Sequence, residues 1–235
     1  MILVLCAMKE ERDALIDLMS DVSVKPGKKL YYQGGLLDTE CYEGKIDNKD
    51  VVVSRCGVAE IYASMVCTIM IEKYKPDLVI NLGVAGSLNE NVHVNDVVIA
   101  TKAGLWGIDV PEESWKRSFN NIKTAYPCDV DILEMIRKIN FKDNVHIGPI
   151  VSADEFIYNK QQVNLIKKHY PEALCGEMEG AAIAGVCYAF NTPATIIRSI
   201  SDETLVEDDF KNADFNLNRV CKTAADICVS IIKRF

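Results

Sequence analysis

Residues 77–87 read DLVINLGVAGS. The run from Leu78 to Leu82 is almost wholly apolar and closes on Gly83. Such a run, with no polar alternation, suits a strand covered on both faces. Four further runs have the same character: MILVLCA (1–7), DVVIA (96–100), VHIGPIVSA (145–153) and PATIIRSIS (193–201). Helical periodicity fills the intervals. It runs from Lys9 to about Met19, over 60–74, 129–139 and 161–171, through the small-residue stretch of 176–187, and from about Asn216 to Lys233. YYQGGLLDTECYEGKIDNKDVVVSRCG (31–57) reads as two or three antiparallel strands, with turns at Gly34-Gly35 and Asp47-Asn48. The acidic segment ETLVEDDF (203–210) reads as a loop. Apolar strands alternating with helices predict an α/β sandwich on a mixed, mostly buried sheet. No repeat, low-complexity tract or linker divides the chain, so residues 1–235 are expected to form one domain.

Composition narrows the function. A hydrophobic content of 49% allows a sizeable core, and a net charge of −8 argues against nucleic acid or an anionic membrane as partner. The apolar start MILVLCA has no basic region before it and is too short for a signal peptide. No uninterrupted run approaches the roughly 20 apolar residues of a membrane span. The nine cysteines form no CxxC pair, and His93, His146 and His169 are scattered, so no metal site is expected. Nine reduced, mostly buried thiols in a cytoplasmic protein is the reading that follows.

In open α/β folds ligands collect beyond the carboxyl ends of strands. Five segments follow strong strands or precede the small-residue helix. They are Ala7-Met8-Lys9-Glu10-Glu11, Leu82–Ser87, Ser152–Ile157, Glu177-Met178-Glu179 and Ser199–Asp202. Four of the five carry carboxylates, and that convergence points to one acidic site. Each has a plainer reading. Glu10 and Glu11 suit the first turn of a helix. GVAGS matches neither a dinucleotide fingerprint nor a P-loop and reads alone as a tight turn. Phe156 suits a core, Asp202 suits a helix cap, and Arg198 could pair with one of the acids.

Taken together, AMKEE, LGVAGS, VSADEFI, GEMEGAAIA and RSISD resemble the 5′-methylthioadenosine/S-adenosylhomocysteine nucleosidases of the nucleoside phosphorylase superfamily. The resemblance spans roughly residues 1 to 232. It implies a three-layer α/β/α sandwich with a central mixed, twisted sheet, a purine nucleoside substrate, no cofactor and a homodimer. Glu11 matches the acid that activates water, and Asp202 the acid that protonates N7 of adenine. Phe156 matches the ring that stacks on the purine, and Ile157 the residue whose backbone reads the base edge. Met178 and Glu179 match the residues under the ribose, with Glu179 accepting from its hydroxyls. Ser201 and Arg198 match supports of the acid and of the ribose site. Met8 and Glu177 join the substrate-contacting set, Glu177 as a lesser contact or as a partner of Arg198. Val84 stands where the family often has a small hydroxyl residue beside the water.

The chemistry agrees with these roles. Breaking an N-ribosidic bond passes through an oxocarbenium-like sugar, so it needs an acid on the leaving base and a base on water. Three departures bear on specificity. Trp106-Gly107 replace a usual His-Asp pair, with Asp109 kept, in the region 104–121 that builds the family's 5′-substituent pocket. CGVA (56–59) replaces SGIG. Phe210 and Phe215 compete for the aromatic that caps the site. Rival readings are a nucleosidase for another 5′-substituted purine nucleoside (5′-deoxyadenosine or futalosine type), a purine nucleoside phosphorylase, and a nucleoside-binding protein without catalysis. A phosphorylase would need cationic groups for phosphate; its relatives carry an arginine before the central glycine motif, where this chain has Asn81-Leu82.

Overall fold

The first strand, β1 (Ile2–Cys6), divides the layers. Its side chains alternate across the sheet. Ile2, Val4 and Cys6 join the core beneath α1 (Lys9–Ile16) and α6 (Ala213–Ile232), with Leu15, Ala225 and Ile231. Leu3 and Leu5 join the opposite core with Ala63, Val66 and Ile183, from α2 (Glu60–Tyr74) and α5 (Gly180–Ala189). Helices therefore cover both faces of the sheet, which is the three-layer α/β/α sandwich expected. The computed structural model describes residues 1–32, 35–107, 125–206 and 209–235. Asp109 and the rest of 108–121, and the side chains of Phe210 and Phe215, lie outside the described residues, as does Gly34 of the expected Gly34-Gly35 turn.

Among the described residues the main sheet has the order β11-β10-β8-β12-β7-β1-β6-β5-β2, with β9 (Ala125–Pro127) added to β8. Its strands are β2 (Ser20–Lys25), β5 (Cys41–Ile46), β6 (Lys49–Arg55), β7 (Leu78–Ser87), β8 (Val97–Leu105), β10 (Val145–Ser152), β11 (Cys175–Glu177) and β12 (Ala194–Glu203). β1 runs parallel to β6 and β7, and β7 parallel to β12, whereas β12 meets β8 antiparallel, so the sheet is mixed. β11 pairs with β10 and also, antiparallel, with β7 at Gly176 and Gly86. That second pairing closes β7, β12, β8, β10 and β11 on themselves. Two further α-helices among the described residues are α3 (Val130–Ile136) and α4 (Lys160–His169), capped by the side chains of Asp129 and Asn159.

The structure differs from the sequence expectations in three places. Residues 31–57 contribute to four strands rather than two or three: β3 (Lys29–Tyr32) and β4 (Gly35–Asp38) form a separate hairpin ahead of β5 and β6. The Asp47-Asn48 turn is present, with φ of 50° and 63°, the left-handed pair a two-residue hairpin favours. The first helix ends at Ile16, and Ser20–Lys25 is an edge strand on β5, exposed throughout and so without the apolar face that marks a buried strand. The stretch GVAGS is not a turn, because β7 continues through it to Ser87.

Candidate active site

A cavity of about 260 Å³ opens where β1, β7, β10, β11 and β12 end. Met8, Glu11, Val84, Phe156, Ile157, Glu177, Met178, Glu179, Ser201 and Asp202 all line it. The candidate catalytic and substrate-contacting residues are thus brought together, with Arg198 just behind the wall and 1% exposed, whereas Glu10 faces away from the cavity.

Glu11 sits in the first turn of α1 and is buried. Its Oε2 accepts from the Met8 N–H at 2.9 Å, closing a capping interaction. Its Oε1 accepts from the Val84 N–H at 3.1 Å. Helix opening and cavity floor are therefore one role, not alternatives. The approach to β7 is close: a Cβ on Gly83 would lie 2.7 Å from Glu11 Oε1, so glycine is required there for space. Burial raises the Glu11 carboxyl above its ordinary value, opposed by the Met8 N–H and by Arg198.

Glu177 and Glu179 divide their work. Glu177 Oε2 accepts from the N–H groups of Glu179 (2.9 Å) and Gly180 (2.7 Å), serving the unpaired donors at the start of α5. The same oxygen meets Arg198 Nη2 at 2.5 Å, and Oε1 accepts from the Ser152 hydroxyl. Both oxygens of Glu177 are committed inside the protein. Arg198 is held in turn by Asn81, through Oδ1 at 2.5 Å and the backbone carbonyl at 3.3 Å. Glu179 is tied less tightly. Its Oε1 accepts from the Ala59 N–H at 3.1 Å, and its Oε2 stands 3.7 Å from Arg198 Nη2. Burial, then Glu177, pushes the Glu179 carboxyl up to about 8, against the pull of Arg198.

Asp202 follows a bulge. The β12–β7 register slips between Ile200 and Asp202, inserting Ser201; a bulge of this kind re-aims the side chain beyond it. Asp202 Oδ1 accepts from the Ser201 hydroxyl at 2.6 Å. Its Oδ2 is buried with no partner among the described residues. Burial raises its carboxyl, the Ser201 hydrogen bond lowers it, and Asp209 raises it. A Cβ on Gly86 would lie 3.1 Å from Oδ2, so the second glycine of GVAGS leaves room for this acid.

Phe156 is 53% exposed at the mouth, which removes the core reading. Ile157 is buried beside Leu88 and Val163. Trp106 packs on His169 with ring centroids 5.6 Å apart and does not line the cavity. Several cavity residues carried no separate signal in the sequence. Ala7, Val58, Ala85, Gly86, Glu155 and Gly176 line the wall. All but Val58 lie inside the motifs quoted above, and Val58 lies in the divergent CGVA. No lysine or arginine lines the cavity among the described residues, and none of their His, Cys, Asp and Glu side chains gather in a metal-binding group of three.

Residues 1–233 match the model of the phosphorylase superfamily. A 5′-methylthioadenosine/S-adenosylhomocysteine nucleosidase of Staphylococcus haemolyticus is 31% identical over 236 residues, with 99% of each chain covered. The crystal structure of the nucleosidase of that name from Neisseria meningitidis, in complex with methylthio-immucillin-A, matches with a TM-score of 0.85 at 28% identity. It covers 100% of this chain and 99% of that one. A futalosine hydrolase of Helicobacter pylori gives a TM-score of 0.85 at 24% identity over 100% of this chain and 97% of its own, a likeness of fold alone. The chain belongs to the phosphorylase superfamily and, within it, to the 5′-methylthioadenosine/S-adenosylhomocysteine nucleosidases.

Proposed function

We propose that this chain hydrolyses the N-ribosidic bond of 5′-methylthioadenosine and S-adenosylhomocysteine, releasing adenine and the 5-substituted ribose. The observation that carries the reading is the meeting of Glu11, from the start of the chain, with Glu179 and Asp202, from its last quarter, in one cavity. Asp202, its Oδ2 free, donates a proton to N7 of the base as the bond breaks. Glu11, held by two backbone N–H groups, takes a proton from the attacking water, whose oxygen bonds to C1′. Glu179 accepts from the ribose hydroxyls and places negative charge beside the developing cation. Met178 packs beneath the sugar, Phe156 stacks on the purine, and the Ile157 backbone reads its edge. Arg198 and Ser201 support Glu179 and Asp202. Glu177, its oxygens already engaged, acts by holding Arg198 and the start of α5. Met8 and Val84 fix Glu11 through their N–H groups, so a hydroxyl at position 84 is not needed for that bond.

Hydrolysis is favoured over phosphorolysis because a phosphate dianion would face Glu11 and Glu179 with no lining cation among the described residues. The test is direct: purified protein is given 5′-methylthioadenosine, S-adenosylhomocysteine and other 5′-modified adenosines, with and without phosphate. Free adenine formed without phosphate is the expected result; ribose 1-phosphate formed only with phosphate would overturn it.

Three wider readings go with this one. The continuous sheet and the match across residues 1–233 support a single domain. Nine buried, unbridged cysteines support a reducing, cytoplasmic setting. The groove between α2 and α5, lined by the exposed Ile61 and Phe190 with Val186 and Ala189, supports a homodimer, which sedimentation at micromolar concentration would test.

A further inference from the structure

The loop that presents Phe156 and Ile157 lacks a scaffold of its own. Among the described residues, backbone–backbone hydrogen bonds are made at Ala153 and at Asn159 but by none of residues 154–157. Such a segment depends on side chains to hold its shape. Asp154 is tied by the Glu60 N–H at 2.8 Å and the Ile157 side chain is buried, while one amide ties residues on both sides of Ile157. Gln162, in the first turn of α4, donates from Nε2 to Glu155 Oε1 at 2.5 Å and to the Phe156 carbonyl at 3.1 Å. Its Oε1 accepts from the Tyr158 N–H at 3.0 Å, while its own N–H donates to the capping Asn159 at 2.9 Å. The side chain thus serves residues before and after Ile157. The N–H and C=O of Ile157 stay without partners among the described residues. Gln162 itself does not line the cavity.

The geometry points to Gln162 as a positioning residue for base recognition, acting on the purine only through the 155–158 loop. The inference rests on the nucleoside reading above. An amide is suited to the task because it donates and accepts at once. Alanine loses all three contacts, and glutamate loses both donors and faces Glu155. The half-exposed Phe156 ring then has no fixed backbone behind it, and the cost falls on binding the base rather than on the groups that break the bond.

The experiment measures adenine affinity by calorimetry, and kcat and KM for 5′-methylthioadenosine, in wild type, Gln162→Ala and, as a surface control, Gln161→Ala. Loss of hydrogen bonds of ordinary strength is expected to raise the adenine Kd and the KM of Gln162→Ala together by about 10-fold. kcat should stay within about 3-fold and Gln161→Ala should match wild type. Unchanged adenine affinity would overturn the proposal. So would a parallel collapse of kcat, adenine affinity and Tm, which is what a purely structural role gives. If wild type releases no adenine from the nucleoside, the hydrolase reading fails, and the calorimetric comparison still tests Gln162.

Discussion

Asp202 and Glu11 are both buried acids, both raised by burial, and the proposed reaction asks opposite things of them. Their surroundings separate them. Glu11 receives two N–H groups and feels Arg198, which favour its ionised form. Asp202 has only one hydroxyl to stabilise its carboxylate, while burial, its unpartnered Oδ2 and the negative Asp209 favour its protonated form. Paired acids whose environments pull apart are how one site holds both a proton donor and a base. Glu11→Gln and Asp202→Asn are each expected to lower kcat by about 10²- to 10⁴-fold with Tm retained, measured by adenine release and calorimetry. Ser201 offers a finer check. Its hydrogen bond stabilises the Asp202 carboxylate, so Ser201→Ala should raise the Asp202 pKa further. The alkaline limb of kcat/KM, where Asp202 loses its proton, should move to higher pH; a shift to lower pH would contradict the assignment. The motif ISD located this acid in the sequence, but the bulge at Ser201 depends on pairing with β7, 116 residues away, and no local pattern carries it.

At the scale of elements, the starts of two helices organise the site. α5 has its first donors served by Glu177, which leaves the Glu179 carboxylate free to face the cavity; this is why two glutamates flank Met178. α2 has no capping side chain of its own. Its donors at Ala59 and Glu60 are served by Glu179 and by Asp154 at 2.8 Å. Ala59 meets Glu179 only by adopting φ 82° and ψ 157°, a region that belongs to glycine. The sequence flagged CGVA as a lost glycine, and the structure gives the consequence, a strained alanine beside Glu179. The strain is worth about 1–3 kcal/mol, and glycine's extra freedom in the unfolded chain takes back about 0.5–1 kcal/mol. Ala59→Gly should therefore stabilise by about 1 kcal/mol, or roughly 2–4 °C in Tm by calorimetry. A lower Tm would mean that the alanine is not strained. The helices and the five apolar strands were legible because each buries a long apolar stretch, continuous in the strands. β2 was not, because an exposed edge strand carries no such face, and neither was the continuation of β7, because its glycines answer to Glu11 and Asp202 rather than to a turn.

For the whole molecule, closure of β7, β12, β8, β10 and β11 brings the Glu177–Glu179 segment against Arg198 and Glu11, and burying several acids around one cation leaves a thermodynamic mark. Motif order placed those acids in one site, yet the sequence could not tell which of them Arg198 would satisfy. The structure gives Glu177 the close contact and leaves Glu179 raised from 4.5 to about 8. Glu60, half-buried near Asp154, is raised from 4.5 to about 7. A carboxyl with a raised folded-state pKa holds its proton more tightly in the native protein than in the unfolded chain. Its contribution to stability is complete below the unfolded value and is lost as pH rises through the folded one. Asp96 works in the opposite sense, since burial, which raises its pKa, is outweighed by the His93 N–H and by His146, which lower it from 3.8, and its effect lies below that window. Between about pH 4.5 and about pH 8 the ligand-free protein should therefore lose stability as pH rises. Glu179→Gln should flatten the slope of Tm against pH, and adding Glu60→Gln should flatten it further. Scanning calorimetry in matched ionic strength reads this directly. A Tm that climbs steadily from pH 5 to pH 8 in wild type would mean that Arg198 satisfies Glu177 and Glu179 alike, and the division of labour between the two glutamates would have to be abandoned.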